Sequence, residues 1–235
     1  MVTAASYPTD ETSRQMLVTQ SKVGVNNPLH RRALTPTDSQ PVVRMNRDTY
    51  YSMCVVNVSE GATITIPEVP EGKYVSIMGV TEDHRIQAMR YGPGTFELTT
   101  HTGSHLMVIV RLDSTLSEAE AHRLQDGIQV SATASEPFSA SPIDVASFER
   151  VESELKAKMP AIIRRDGVTA TLGMFTDPRD ESAAYFTDEK YQVGAAMGWG
   201  GAQWNDNIYE LSGDFPIGQG YQATFEDPAD VAFWS

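Results

Sequence analysis

The chain has 235 residues, a hydrophobic fraction of 40% and a formal net charge of -13, which is enough apolar material for a real core and argues against a disordered chain. With 18 basic residues against 31 acidic ones, the surface repels phosphate backbones, so nucleic acid is not expected as a partner. No apolar run approaches the roughly 20 residues of a membrane span, so no membrane partner is expected either.

The first ten residues carry neither the basic segment nor the apolar stretch of a secretory signal, which points to a cytoplasmic or already processed protein. Residues 11–22 then read as a short helix with a thin apolar stripe through Met16, Leu17 and Gln20. Loop composition follows over 24–40, with Asn26-Asn27-Pro28 and Pro36. At 42–58 comes a knot of Arg44, Asn46, Arg47 and Asp48 directly ahead of a strand-like run. Within that run Cys54 is the sole cysteine; it excludes an internal disulfide and reads as a small buried residue rather than a nucleophile.

From 50 to 111 the apolar period is two: Thr63-Ile64-Thr65-Ile66, Tyr74-Val75-Ser76-Ile77-Met78, Thr95-Phe96-Glu97-Leu98 and Leu106-Met107-Val108-Ile109-Val110. About six strands are expected, reversed at Gly- and Pro-bearing turns and so antiparallel. Ser117-Glu118-Ala119-Glu120 spells a capping box for a helix to about Asp126, stopped by Gly127, and 129–131 adds a strand. After a Ser/Ala/Pro linker, Asp144 caps a helix carrying Val145, Phe148, Val151 and Leu155 until Pro160 interrupts it. A third helix is expected over 181–196, and strands at 221–225 and from 231.

The expected class is therefore mostly β (α+β): an antiparallel β-sandwich or jelly-roll-like domain, a helical connector and an incomplete second β domain. The division runs 1–41 for the N-terminal helix and loop, 42–131 for the sandwich, 132–197 for the connector and 198–235 for the second β domain.

Met45-Asn46-Arg47-Asp48-Thr49-Tyr50-Tyr51-Ser52, with the apolar strand and Gly72-Lys73-Tyr74 after it, resembles the signature of the domain-of-unknown-function family numbered 1254. The closing Phe225-Glu226-Asp227-Pro228-Ala229-Asp230-Val231-Ala232-Phe233-Trp234-Ser235 resembles the start of its usual C-terminal partner, the family numbered 1214. The resemblance implies a β-rich domain and a jelly-roll-like domain bridged by helices, in proteins often exported and commonly labelled hydrolase-like. It carries over no catalytic residues. The chain is expected to be a fragment of a longer reading frame, the alternative being completion by another polypeptide; a homo-oligomer would also cover an open sheet edge.

The knot supports three readings. Asn46 and Asp48 can form Asx-turns while Arg47 pairs with an acid, making a structural corner. Arg44 and Arg47 can instead form a fork for a carboxylate or phosphate, with Asn46 and Asp48 beside them and Tyr50 or Tyr51 stacked on the ligand. Asp48 can also be an acid or base. Thr81-Glu82-Asp83-His84-Arg85 follows an apolar strand, where functional groups are often displayed, so His84 joins Asp48 as a catalytic candidate and Arg85 joins the ligand-binding set. Metal is not expected: His101 and His105 are four apart but not on a helix, and no His-Glu-x-x-His occurs, so these histidines read as solvated turn residues. Trp199 and Trp204, among glycines, read as packing wedges. No nucleophile elbow and no phosphate or dinucleotide loop is present, and no cofactor is indicated. The functional expectation is a small-molecule hydrolase acting on a phosphate-, ester- or amide-bearing metabolite, or else a non-catalytic β module that binds a small anionic ligand or a partner chain.

Overall fold

The computed structural model describes residues 1–36, 46–177, 179, 183–207, 220 and 222. Arg44 with the rest of 42–45, the strand expected at 221–225 apart from Gln222, and the strand expected from 231 lie outside these residues, as does the stretch likened to family 1214.

Helix α1 (Tyr7–Val23) opens the chain. It begins at Tyr7 rather than residue 11 because Pro8 occupies the first turn, where a missing N–H costs nothing. Strands β1 (Leu29–His30), β2 (Thr49–Asn57), β3 (Ala62–Ile66), β4 (Val75–Thr81), β5 (Arg90–Tyr91), β6 (Gly94–Leu98) and β7 (His105–Asp113) follow. Helix α2 (Glu118–Asp126) starts at the capping box expected from its spelling: Ser117 Oγ accepts from the Glu120 N–H, and the Glu120 carboxylate accepts from the Ser117 N–H. Strand β8 (Gln129–Ala132) comes next. Helix α3 (Val145–Lys156) is capped by the Asp144 side chain, as expected. Pro160 sits in the first turn of a separate helix, α4 (Met159–Asp166). The last helix, α5 (Asp188–Gly198), starts later than the expected residue 181, with Thr187 as the cap that accepts from the Lys190 N–H.

Two antiparallel sheets result among the described residues, one ordered β1-β2-β7-β4-β5 and one ordered β6-β3-β8. Helix makes up 31% and strand 22% of the described residues, so the class is α+β and the mostly β weighting is not confirmed. The excess is physical: α1, α3, α4 and α5 form an apolar layer of their own, through Tyr7, Phe148, Val151, Leu155, Ile162 and Val193, rather than a bare connector.

The larger sheet is buried on both faces. Tyr50, Cys54 and Val56 of β2, with Leu106, Val108 and Val110 of β7, share one core with Ile64 and Ile66 of β3 and Leu124 of α2. Their alternates Tyr51, Val55, Met107 and Ile109 share another with Met16 of α1 and Trp199. β2 therefore reads as a near-continuous buried run, whereas β3 alternates buried and half-buried residues because its second face is wet. Cys54 is 2% exposed, and burial pushes its thiol up to about 12.

The turn after β4 stitches the larger sheet to the helices. The Thr81 hydroxyl donates to the Asp83 carboxylate at 2.6 Å and accepts from the Arg85 N–H at 2.9 Å, which closes the turn with His84 at φ +60. His84 thus points inward, 1% exposed, between the rings of Tyr191, Trp199 and Phe175. Its Nε2 accepts from the Gly200 N–H at 3.0 Å, which leaves the proton of the neutral ring on Nδ1. Trp199 donates its indole N–H to Thr12 of α1 at 2.9 Å and so is a wedge, as expected, while Trp204 is 69% exposed.

Two predictions follow from this packing. Leu124→Ala, at a fully buried position between the sheets, should cost about 2–5 kcal/mol in urea unfolding; a cost below about 1 kcal/mol would contradict the shared core. Burial, with a smaller push from the Arg85 charge, drags His84 from 6.5 to about 3. The unfolded chain then binds this proton more tightly, so the stability tied to neutral His84 is whole above about pH 6.5 and is lost as pH falls towards about 3, by up to roughly 1.4 kcal/mol per pH unit. His84→Asn, which tolerates the left-handed backbone, should flatten unfolding stability against pH in that window; an unchanged slope would contradict the account.

Candidate functional site

Antiparallel register sorts the helix-side face of the larger sheet into cross-strand rows. Met53, Ile109 and Met78 form one row and Val55, Met107 and Val80 another, both apolar. The next row is different in kind: Tyr51 of β2 pairs with Arg111 of β7, Arg111 with Ser76 of β4, and Ser76 with Tyr91 of β5. Beyond it lie Thr49 and Asp113. Partners in register share a face, with neighbouring strands about 4.8 Å apart, so four polar or amphipathic side chains stand side by side where the apolar floor ends.

Arg111 is the centre of this row. Its guanidinium lies 5.5 Å from the centroid of the Tyr51 ring, donates a long hydrogen bond of 3.4 Å to the Gly200 carbonyl, and has a weak 3.8 Å contact with the Met78 sulfur. Among the described residues no carboxylate pairs with it. Asp113, two residues on, is occupied elsewhere, accepting from the Thr115 N–H at 2.7 Å, the Thr115 hydroxyl at 2.6 Å and the Tyr74 N–H at 3.2 Å. Desolvation works to raise the Asp113 pKa, but these bonds and Lys73 outweigh it and hold the carboxyl below its usual range.

Two hydroxyls on this face are buried and find no partner among the described residues: Ser76 Oγ, on a residue with 0% exposure, and Thr49 Oγ1, on one with 1%. Buried polar groups are nearly always paired, so each such atom calls for an explanation. At the far end of the row Tyr91 donates its hydroxyl to Asp206 Oδ1 at 2.7 Å, while Asp206 Oδ2 is buried and unpartnered among the described residues. Burial, the Asp206 hydrogen bond and its charge all raise the Tyr91 phenol, so it stays protonated as a donor. Gly200, at φ +73, approaches the sheet where an added Cβ would meet Ile109 Cδ1 at 3.4 Å, so its carbonyl comes within reach of Arg111.

The candidates read from the sequence fall elsewhere. Asn46 makes the expected Asx-turn, its Oδ1 accepting from the Asp48 N–H. Among the described residues Arg47 pairs with no acid; its Nε donates to the Thr35 carbonyl at 2.8 Å. Asp48 keeps Oδ2 buried without a partner among the described residues, and its carbonyl accepts from the Ser114 N–H. Tyr50 is 7% exposed and faces the core between the sheets, because it alternates with Tyr51, which takes the polar face. His84, expected on a displayed turn, is instead packed among aromatics. Arg85 is 5% exposed, stacked 4.0 Å from the Tyr191 centroid and 4.8 Å from that of Phe186, with Nη1 donating to Thr176 at 3.1 Å.

His105 is not a solvated turn histidine either. At 5% exposure it bonds the Glu136 carbonyl through Nε2 at 2.9 Å and the Ser104 hydroxyl through Nδ1 at 2.9 Å. His101 faces Asp83 at 3.1 Å, and Glu82 Oε1 accepts the Ser104 and His105 N–H groups at 2.8 and 2.9 Å. Each member of the acidic turn thus has a partner within the fold, although the His84 Nδ1–H is buried and unpartnered among the described residues. Among the described residues no three His, Cys, Asp or Glu side chains gather as a metal site. A cavity of about 310 Å³ lies between α4 and α5, but its charges are mutually paired: Arg165 with Asp166 and Glu189, and Lys190 with Asp166.

Sequence reasoning missed Arg111, Ser76, Thr49 and Asp206. The signal for Arg111 was present as one cation inside the apolar run 106–112, but its partners are set by register, which the run does not specify.

Similarity to other proteins is partial. No curated protein matches the chain. The fold is similar to the crystal structure of the VPA0106 protein from Vibrio parahaemolyticus, with a TM-score of 0.57 and 12% identity over 84% of this chain and 66% of that chain. At that identity the likeness is one of fold alone, and this chain spans just under two thirds of the other's length. No helix among the described residues is long and apolar enough to cross a membrane. Nothing in these matches shows a domain of the family numbered 1214. Residues 25–132, which carry β1 to β8 and the Asn46-Arg47-Asp48-Thr49 corner, match the family model described as "Protein of unknown function (DUF1254)".

Proposed function

We propose that this protein binds a small anionic ligand on the polar row of its larger sheet, with Arg111 as the charge-bearing contact, Ser76 as a hydroxyl donor and Tyr51 as the flanking ring. The observation that carries this is the Arg111 guanidinium, held beside a fully buried, unpartnered Ser76 hydroxyl and without a carboxylate partner among the described residues. Arg111 is half-buried, with a single long hydrogen bond to a carbonyl, and a guanidinium offers a carboxylate two parallel donors. The anion fork expected at Arg44 and Arg47 is thereby moved to Arg111.

The binding reading is preferred to the hydrolase reading because Glu82, Asp83, His84 and His105 are spent on turn closure and packing. Asp48 is the remaining acid candidate for hydrolysis. Its side chain belongs to the opposite alternation from Thr49 and Tyr51. The same reading takes the two sheets as a sandwich and the segment from residue 198 as the start of the second β domain.

The test is calorimetric titration of the protein with propionate and with inorganic phosphate. Arg111→Gln should lose roughly 10- to 100-fold in affinity for the anion that binds, with its unfolding transition retained. Equal affinity in the variant, or no binding of either anion by the parent protein, would overturn the proposal. Turnover of phosphoesters, carboxyl esters or amides that Asp48→Asn abolishes would favour the hydrolase instead.

A further inference from the structure

The cavity of about 310 Å³ between α4 and α5 is lined by Arg165, Asp166, Tyr185, Thr187, Glu189 and Lys190, so these side chains share one space. Its volume lies at the lower end of small-ligand pockets, about 300–1,000 Å³, and suits a single ring. Tyr185 is the member that folding does not account for. Its backbone is left-handed at φ +74, a costly conformation for a bulky residue, and its carbonyl packs where a Cβ on Gly173 would stand. Burying the ring would offset that strain, yet Tyr185 is 54% exposed. The ring's cationic neighbour is the Lys190 ammonium, 5.9 Å from its centroid. A half-exposed aromatic on a strained backbone, lining a cavity, is the mark of a face held open for a ligand.

The polar groups around Tyr185 decide the kind of ligand. Lys190 spends its three protons on the Thr169 carbonyl at 3.0 Å, the Leu172 carbonyl at 3.3 Å and Asp166 Oδ2 at 3.0 Å. Arg165 donates from Nε and Nη2 to the two Asp166 oxygens at 2.7 and 2.9 Å, and from Nη1 to Glu189 Oε2 at 2.8 Å. Two cations thus meet two carboxylates, and no charge is left over to recruit an anion or a metal ion. Hydrogen-bonding capacity does remain. The guanidinium keeps N–H groups beyond these three, the Thr187 hydroxyl can donate while it accepts from the Lys190 N–H at 3.1 Å, and Glu189 Oε1 can accept. The Arg165 and Glu189 side chains are 53% and 38% exposed, so a ligand in the cavity can touch them.

We infer that this cavity binds a neutral polyhydroxylated ring of the monosaccharide type, its C–H face on Tyr185 and its hydroxyls on Glu189, Thr187 and Arg165. Each sugar hydroxyl is both donor and acceptor, and a paired carboxylate and guanidinium offer both roles at one edge without net charge. The apolar C–H face covers aromatic surface that is otherwise wet. The site shares no residue with the Arg111 row, so neither reading depends on the other.

Saturation-transfer NMR of the protein with D-glucose, D-galactose and D-ribose, which reads millimolar binding, is the test. At least one of the three is expected to bind. Tyr185→Gly removes the ring and relieves the left-handed backbone, and should lose at least about tenfold in affinity. Tyr185→Asn, which tolerates the same backbone, carries the same expectation and serves if the glycine variant fails to fold. Glu189→Gln should weaken binding by a smaller factor. Absence of binding by all three sugars overturns the inference. So does binding that both Tyr185 variants leave unchanged, because the sugar would then sit elsewhere. Tighter, Tyr185-dependent binding of D-glucuronate than of D-glucose would contradict a charge-balanced site.

Discussion

The two-sided burial of β2 and β7 is the constraint on which the rest of the molecule depends. Their nine-residue antiparallel ladder runs from Thr49 opposite Asp113 to Asn57 opposite His105, with one core on each face. A strand in that position cannot carry charge in its middle, because no water reaches it to solvate the charge. Polar side chains are therefore pushed to the two ends of the ladder. At one end they close the turn around Glu82, His105 and Asn57; at the other they form the row of Tyr51, Arg111 and Ser76.

The two ends have different economies of hydrogen bonding, and this separates structure from function. Around Glu82 and His105 donors and acceptors are matched: the carboxylate takes two backbone N–H groups, and the imidazole bonds a carbonyl and a hydroxyl. Such a matched network rigidifies a turn and leaves nothing to offer a ligand. Around Arg111 the matching is incomplete, with Ser76 Oγ, Thr49 Oγ1 and Asp206 Oδ2 unpartnered among the described residues and the guanidinium on a carbonyl at 3.4 Å. The segment after α5 ties the two stories together. The Gly200 N–H fixes His84, its carbonyl meets Arg111, and Trp199 anchors it to α1, so this edge of the site is held by the same contacts that join sheet and helices.

Much of this fold is legible in the letters. The period-two runs, the Ser117 capping box, the Asp144 cap and the buried Cys54 all follow from local chemistry, and the structure reproduces them. Helix starts were misplaced where a proline or a threonine cap outweighed apolar spacing, at Pro8 and at Thr187. The site was less legible. Clustered charge in the sequence drew attention to Asn46, Arg47 and Asp48 and to the turn at 81–85, yet charges that are close in sequence tend to satisfy one another or nearby backbone, as Asn46, Arg47 and Asp83 do. The polar groups of the row, Tyr51, Arg111, Ser76 and Tyr91, lie on four different strands, and only strand register brings them together. Tyr50 and Tyr51 show how fine the margin is. One residue of alternation sends the first into a core and the second to the site.

The most direct measurement is a crystal structure of the protein grown in the presence of a small carboxylic acid such as propionate. The account predicts density for the acid between Tyr51 and Tyr91, its carboxylate within hydrogen-bond distance of the Arg111 guanidinium and Ser76 Oγ. An Arg111 engaged by a carboxylate of its own chain, with the ligand absent or bound elsewhere, would contradict it.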